Sequence, residues 1–379
     1  MVDFELSEDQ VLIRDTARDF ADRELAPNAG RWDRDLIFPR EAVEHAAELG
    51  FLGVTIPEQY GGSALGNVTL CVLLEELNRG CASTGVTVSV HNSLFCSPLV
   101  KFGTEDQKQR YLPHMATGEW IGAYCLSEAG AGSDVAAMRC QAKCDGDDYV
   151  LDGTKMWITT GSEADAFVVF ARTDEDRNRG ITAFLVDKTM PGVSVGKKEE
   201  KLGIRASPTT EIILEGTRVP AANRLGEEGE GFKIALDTLD GGRLGIASQS
   251  LGIGRACLEA SLRYANEREQ FGRPIGSFQA VQWKLADMAT ELDAARLLTW
   301  RAANLRDLGQ RCSMEASMAK LFASRIANKA AREAVQIHGG AGYTREFPVE
   351  RYMRDARITE IYEGATDIQR LVIARNLLS

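Results

Sequence analysis

Apolar positions in the first third of the chain recur at helical spacing. Ser7-Glu8-Asp9-Gln10 has the form of a capping box, with Ile13, Ala17 and Phe20 following on one face and Pro27 as the expected stop. Pro39 opens a second helix that carries Ala42, Val43, Ala46 and Ala47 on one side and ends at Gly50. The same pattern returns over 70–78, before Gly80. From about Ile121 the period changes to short β-rich runs at 149–151, 156–159, 167–170, 181–186 and 212–214. Gly-containing pairs separate them: Asp145-Gly146, Asp152-Gly153, Arg179-Gly180 and Pro191-Gly192, so a compact antiparallel unit ending near Pro220 is predicted. Long amphipathic helices then follow over 232–268, 279–308, 314–338 and from 349 onward, the pattern of a helix bundle.

Helices on both sides of an insulated β unit give an α+β class rather than the strand-helix alternation of a parallel sheet. The predicted units are 1–120 (helical), 121–230 (β) and 231–379 (helical bundle). A length of 379 residues, 44% of them hydrophobic, supplies a sizeable core for units of this size. The formal charge of -11 repels polyanions and argues against nucleic acid as the main ligand, while leaving room for a small anion in a local basic pocket. The start, Met1-Val2-Asp3-Phe4-Glu5, is acidic and unlike a secretion signal, and no apolar run approaches the ~18 residues of a membrane span. A soluble, unsecreted chain is expected. The eight cysteines are dispersed, which predicts free thiols in a reducing compartment. Cys140 and Cys144 share one face of a probable strand without a second pair to complete a zinc site. The four histidines lie far apart, so no metal centre is expected.

Three segments carry candidate chemistry. In Glu128-Ala129-Gly130-Ala131-Gly132-Ser133-Asp134, Val135 occupies the place of the third glycine of a dinucleotide fingerprint, so the Rossmann reading fails. A glycine-rich turn remains. Its amides and the Ser133 hydroxyl could approach a planar or anionic ligand, or simply reverse the chain. Strand alternation puts Trp157 and Thr159 on one face, an aromatic slab beside a hydroxyl, suited to a flavin ring or to plain packing. Glu363-Gly364 places a carboxylate at a tight bend, as a base or as a helix cap.

Taken together, these residues resemble the acyl-CoA dehydrogenase family over nearly the full length. Tyr124-Cys125-Leu126-Ser127-Glu128 running into Gly130-Ala131-Gly132-Ser133-Asp134 is similar to the family's first signature. Gln336-Ile337-His338-Gly339-Gly340-Ala341-Gly342-Tyr343 through Arg354-Asp355-Ala356-Arg357 is similar to its second, and Ile361-Tyr362-Glu363-Gly364 completes it. The resemblance implies an N-terminal helical domain, a middle antiparallel β domain, a C-terminal four-helix bundle, and FAD held between subunits of a homotetramer. It implies that Tyr124, Cys125, Leu126, Ser127, Gly130, Gly132 and Ser133, with Trp157, Ile158 and Thr159, flank the flavin. Arg268 would reach the FAD pyrophosphate of a neighbouring subunit, and Phe271, Gln279, Gln336, Ile337, Gly339, Gly340, Ala365, Thr366 and Asp367 would add further FAD contacts.

The same resemblance makes Glu363 the base that takes the α-proton of an acyl-CoA thioester. Ser133, Asp240, Arg243 and Gly364 would lie along the substrate. An intrahelical ion pair is the alternative reading of Asp240 and Arg243. Some relatives carry their base at the position of Gly242, which cannot act here. Ala365 stands where Thr is common and Ala129 where Pro is common; the first removes one hydroxyl contact that Thr366 could replace. The segment 196–205 and Gly245-Ile246-Ala247-Ser248-Gln249 look most like short-chain (butyryl-CoA) dehydrogenases, with electrons passed to electron-transferring flavoprotein. A branched-chain dehydrogenase, an acyl-CoA oxidase and a non-catalytic flavin-binding scaffold are the alternatives. The expected compartment is a bacterial cytoplasm, or a mitochondrial matrix after removal of a transit peptide.

Overall fold

The computed structural model describes residues 5–378; Met1 to Phe4, part of the acidic start, lie outside the described residues. The N-terminal helices are α1 (Glu8–Phe20), α2 (Ala26–Asp35), α3 (Arg40–Glu48), α4 (Gly66–Gly80), α5 (Ala82–Val90), α6 (Ser97–Phe102) and α7 (Glu105–Ala116). The predicted box at Ser7 forms: its Oγ accepts from the Gln10 N–H at 3.3 Å, and its own N–H donates to Gln10 Oε1 at 3.0 Å. Pro27 does not stop the chain. A π-helical turn, Ala21–Leu25, carries α1 directly into α2, and this wider turn accommodates Pro27, which has no N–H to donate, without ending the helix.

Eight strands follow: β1 (Gly122–Cys125), β2 (Gln141–Asp145), β3 (Asp148–Thr159), β4 (Ala166–Arg172), β5 (Ile181–Asp187), β6 (Val193–Lys198), β7 (Thr209–Pro220) and β8 (Arg224–Leu225). They form one sheet in the order β6-β7-β3-β2-β4-β5-β8, with β1 beside β4. The sheet departs from the antiparallel expectation in two places. Strand β1 pairs with β4 in parallel from Gly122↔Ala166 to Cys125↔Val169, and β2 meets β4 in parallel at Gln141↔Arg172. Strands β4 and β5 are buried on both faces, which explains why they read as continuous apolar runs: Val168, Phe170 and Leu185 join the core shared with the helices, while Phe167, Val169 and Phe184 join the sheet's own core. Cys140 is buried just ahead of β2, whereas Cys144, at the same parity, has run past the core and is exposed; all eight cysteines are free.

The C-terminal helices are α8 (Gly231–Glu267), α9 (Gln279–Asp307), α10 (Ser313–His338), α11 (Val349–Ile358) and α12 (Thr366–Leu378), with a small ribbon of β9 (Glu269–Gln270) and β10 (Arg273–Pro274) between α8 and α9. Small residues along α10 (Ala316, Ala319, Ala323, Ala327) are fully buried and let α8 and α9 pack closely on it. Among the described residues no helix is long and apolar enough to cross a membrane.

Candidate active site

Between α11 and α12 the chain makes a sharp turn in which Glu363 has φ 49° and Gly364 φ 91°. A left-handed glutamate is uncommon and holds only where its surroundings fix it. Two side chains do so from below. The Gln369 amide donates to the Gly364 carbonyl at 2.8 Å and the Lys320 ammonium donates to the same oxygen at 2.7 Å. Gly364 must be small as well, since a Cβ there would lie 2.4 Å from Gln369 Nε2.

Glu363 Oε2 is buried without a hydrogen-bond partner among the described residues. Burial pushes the carboxyl up to about 7, against the opposing pull of Lys320 and then Arg243. Its Oε2 stands against α8, where a Cβ on Gly242 would come within 2.1 Å of it. Arg243, the next residue, donates to Asp240 Oδ1 at 2.7 Å and to Ser317 Oγ at 3.3 Å, both from Nη1, while its Nε is buried and unpartnered. The intrahelical ion pair, the alternative reading of these two residues, is therefore present, and it sits buried beside Glu363. From the sheet, β1 contributes Tyr124; its hydroxyl is also buried and unpartnered, and burial followed by the Glu363 charge raises the phenol well above its ordinary value.

Next to Tyr124 the chain runs through Cys125, Leu126 and Ser127 into the glycine-rich turn, closed by reciprocal 3.1 Å bonds between Glu128 and Ala131. The Glu128 carboxylate accepts the N–H groups of Arg139 and Cys140 at 2.7 and 3.0 Å, and pairs at 2.7 Å with the fully buried Lys155 of β3. This buried pair, with the Met156 N–H donating to Ser127 at 2.9 Å, docks the turn against Trp157 to Thr159. Simple alternation does not hold there. A bulge between Lys155 and Ile158 turns Met156 and Trp157 both away from the core, with Trp157 at φ 63° and 56% exposed; Ile158 is buried and Thr159 partly exposed. Space above Gly130 and Gly132 is open, and Ser133 is exposed. Near the same bend Thr366 is spent on the Glu360 carbonyl at 3.2 Å, Ala365 is half-buried, and Asp367 pairs with Arg370 on the surface.

The remaining predicted contacts lie elsewhere. Arg268 caps α8, roughly 37 Å along that helix from Arg243. It is exposed and makes no ion pair among the described residues. Phe271, at φ 53° in the tight turn of the β9–β10 ribbon, is 93% exposed. Gln279 starts α9; Gln336 in the last turn of α10 and Gly339 and Gly340 just after it are on the surface, with Ile337 buried.

Models of the N-terminal, middle and C-terminal domains of acyl-CoA dehydrogenase match residues 7–119, 123–217 and 229–378. The chain belongs to the acyl-CoA dehydrogenase family. It is 52% identical to the mitochondrial short-chain specific acyl-CoA dehydrogenase of Rattus norvegicus, over 99% of this chain and 91% of that protein. To the short-chain specific acyl-CoA dehydrogenase of Clostridium acetobutylicum it is 46% identical, over 98% and 99%. The structure of butyryl-CoA dehydrogenase from Megasphaera elsdenii superimposes with a TM-score of 0.98 at 42% identity, covering 100% of both chains. So does a chain from a study of the electron transferring flavoprotein of Acidaminococcus fermentans, at 48% identity over 100% of both chains.

As an acyl-CoA dehydrogenase the protein is an FAD-dependent oxidoreductase, and its residues fit that cofactor. The exposed indole of Trp157, the hydroxyl of Thr159 and the open glycine turn suit a planar ring, and the unpaired guanidinium of Arg268 suits a pyrophosphate. Sequence reasoning missed Lys320, Gln369 and the Glu128–Lys155 pair. Lys320 did leave a signal, as the long charged residue on an otherwise small-residue face of α10. Gln369 left none.

Proposed function

We propose that this dehydrogenase oxidises short-chain acyl-CoA thioesters, butyryl-CoA foremost, to trans-2-enoyl-CoA, with Glu363 removing the α-proton. The observation that carries this reading is the Glu363 carboxylate: buried at Oε2, unpartnered, and raised to about 7. An α-proton beside a thioester is too weakly acidic for an ordinary carboxylate, and a base tuned close to the working pH transfers it best. The Glu363 N–H has no acceptor among the described residues and is free to donate to the thioester oxygen as enolate charge develops there. Lys320 and then Arg243 oppose the burial that favours the protonated carboxyl and compensate the neighbouring negative charge as the proton moves onto it.

Bound FAD supplies the acceptor for the hydride that leaves the β-carbon. Tyr124 to Ser127, Gly130, Gly132, Ser133 and Trp157 to Thr159 would hold its ring, with Ala365, Thr366 and Asp367 beside it. Arg268, Phe271, Gln279, Gln336, Ile337, Gly339 and Gly340 would hold the other end from a neighbouring copy. The helical separation of the two groups within one chain, and the exposure of Phe271, support a homotetramer in which each cofactor is shared. Ser133, Asp240, Arg243 and Gly364 would line the acyl-CoA. The short-chain identity of the relatives supports the substrate length, and the Acidaminococcus fermentans structure supports electron-transferring flavoprotein as the acceptor. Bacterial and mitochondrial relatives, with eight free cysteines, support a reducing compartment, bacterial cytoplasm or mitochondrial matrix.

The test is anaerobic titration of the FAD-loaded protein with butyryl-CoA, followed by the visible flavin absorbance. Wild type is expected to bleach, and Glu363→Gln to bind the thioester but bleach at least ~100-fold more slowly. Rapid bleaching by Glu363→Gln would remove Glu363 from the base role.

A further inference from the structure

Resting on the reading of Glu363 as the base, we propose that Lys320 is its positioning residue: the buried ammonium clamps the Gly364 carbonyl and so sets a positive charge one residue from Glu363. Lys320 has no exposed surface, and its Nζ makes one hydrogen bond, to Gly364 O at 2.7 Å. Among the described residues it has no ion-pair partner within 4.0 Å. An ammonium buried with one of its three donors used is costly to keep, and an apolar residue would pack the same helix position without that cost. Burial brings Lys320 down to about 8, and Glu363, in the turn whose carbonyl Lys320 holds, is the foremost influence opposing that loss of charge.

Two consequences separate the clamp from the charge. The clamp is shared, because Gln369 donates to the same carbonyl at 2.8 Å and to the Glu363 carbonyl at 3.4 Å. Both donors hold the left-handed Glu363 and Gly364 in place, so losing either loosens the carboxylate's aim. The charge is not shared by Gln369. The ionisable groups around the carboxylate are Lys320 from α10, Arg243 with its partner Asp240 from α8, Tyr124 from β1, Tyr362 next to it in the turn, and Glu360 just past α11, which acts on Lys320. Of the two cations, Lys320 has the larger hold on Glu363, and Arg243 already has Asp240. Removing the Lys320 charge therefore leaves Glu363 less readily ionised.

The experiment compares kcat/KM against pH for the FAD-loaded wild type, Lys320→Gln and Gln369→Met, with butyryl-CoA as probe and Glu363→Gln as control. Lys320→Gln keeps a donor and loses the charge. Its acid limb is expected to move to higher pH by about one unit, with a plateau within a few-fold of wild type. Gln369→Met loses a donor and keeps the charge; its plateau is expected to fall about tenfold with the limb unmoved. Should Lys320→Gln not retain flavin, Lys320→Met, similar in length and apolar, carries the same limb measurement. A limb that stays at its wild-type position without the Lys320 charge, while Glu363→Gln is inactive, overturns the role of Lys320 and leaves the base intact. Turnover by Glu363→Gln brings down the base reading itself.

Discussion

A carboxylate serves as a base only in the pH range where it is ionised, and burial has moved Glu363 into the neutral range. Because the carboxyl is raised to about 7, the protonated, inactive form is favoured below that pH and the active form above it. We expect kcat/KM to rise tenfold per pH unit at the acid end and to level off above about pH 8. An acid limb near the ordinary carboxylate range, measured with an acyl-CoA whose chemistry is rate-limiting, would show that substrate or solvent has undone the burial. Gly242 contributes to the same environment by having no side chain, since any Cβ there would strike Glu363 Oε2. Glu363 and Gly364 were legible in the sequence because they belong to one short motif. The contact itself was not legible for Lys320, whose only trace was a long charged residue among small ones, nor for Gln369, because each meets the turn only after α10 and α12 fold back on it. For Trp157 period-2 reasoning found the exposed face but not the bulge that creates it, which depends on the pairing of β3 with β7.

The elements around this turn are fixed from both neighbouring units. Arg354 of α11 makes a two-pronged pair with Asp33 of α2 at 2.7 and 3.0 Å, and pairs with Glu350 within α11. The adjacent Asp355 is buried and accepts the Ile204 N–H, in the loop between β6 and β7, at 2.6 Å. The Asp33–Arg354 pair is only 10% and 19% exposed, so removing one partner strands much of a buried charge. We expect Asp33→Ala to cost about 3 kcal/mol, with Glu350 keeping the loss below that of an isolated pair. A melting temperature lowered by several degrees, read by flavin fluorescence, is the expected result; an unchanged one would mean that Glu350 alone satisfies Arg354. Long helices and buried strands were readable from period and composition over most of the chain. Pro27 misled because a π turn, with no signature in local propensity, absorbs it. The parallel β1–β4 contact escaped because turn residues report only on neighbours in sequence.

For the whole molecule, the decisive feature is that one chain exposes what a second chain can use. Phe271 is 93% and Tyr343 89% exposed, and Trp283 on α9 is 65% exposed, each in a molecule of charge -11 that has no general reason to present aromatics to water. Phe271 also sits in a turn with φ of 53° followed by Gly272 at 77°, and its ring is steadied edge-on against Phe278 at 6.0 Å. A rigid aromatic of this kind is what a protein–protein contact buries at its centre. Arg268 lies three residues away, beyond reach of the Glu363 end of its own chain. Phe271→Asp changes no buried residue, so the single-chain fold and its circular dichroism are expected to persist. Sedimentation should nevertheless show the proposed tetramer giving way to smaller species, and the flavin content per chain should fall with it, since under that proposal the ribbon and its arginine would no longer be seated on a neighbour. The joint loss matters more than either loss alone. Assembly without flavin would separate the interface from the cofactor, and retained flavin in smaller species would mean that one chain holds FAD unaided.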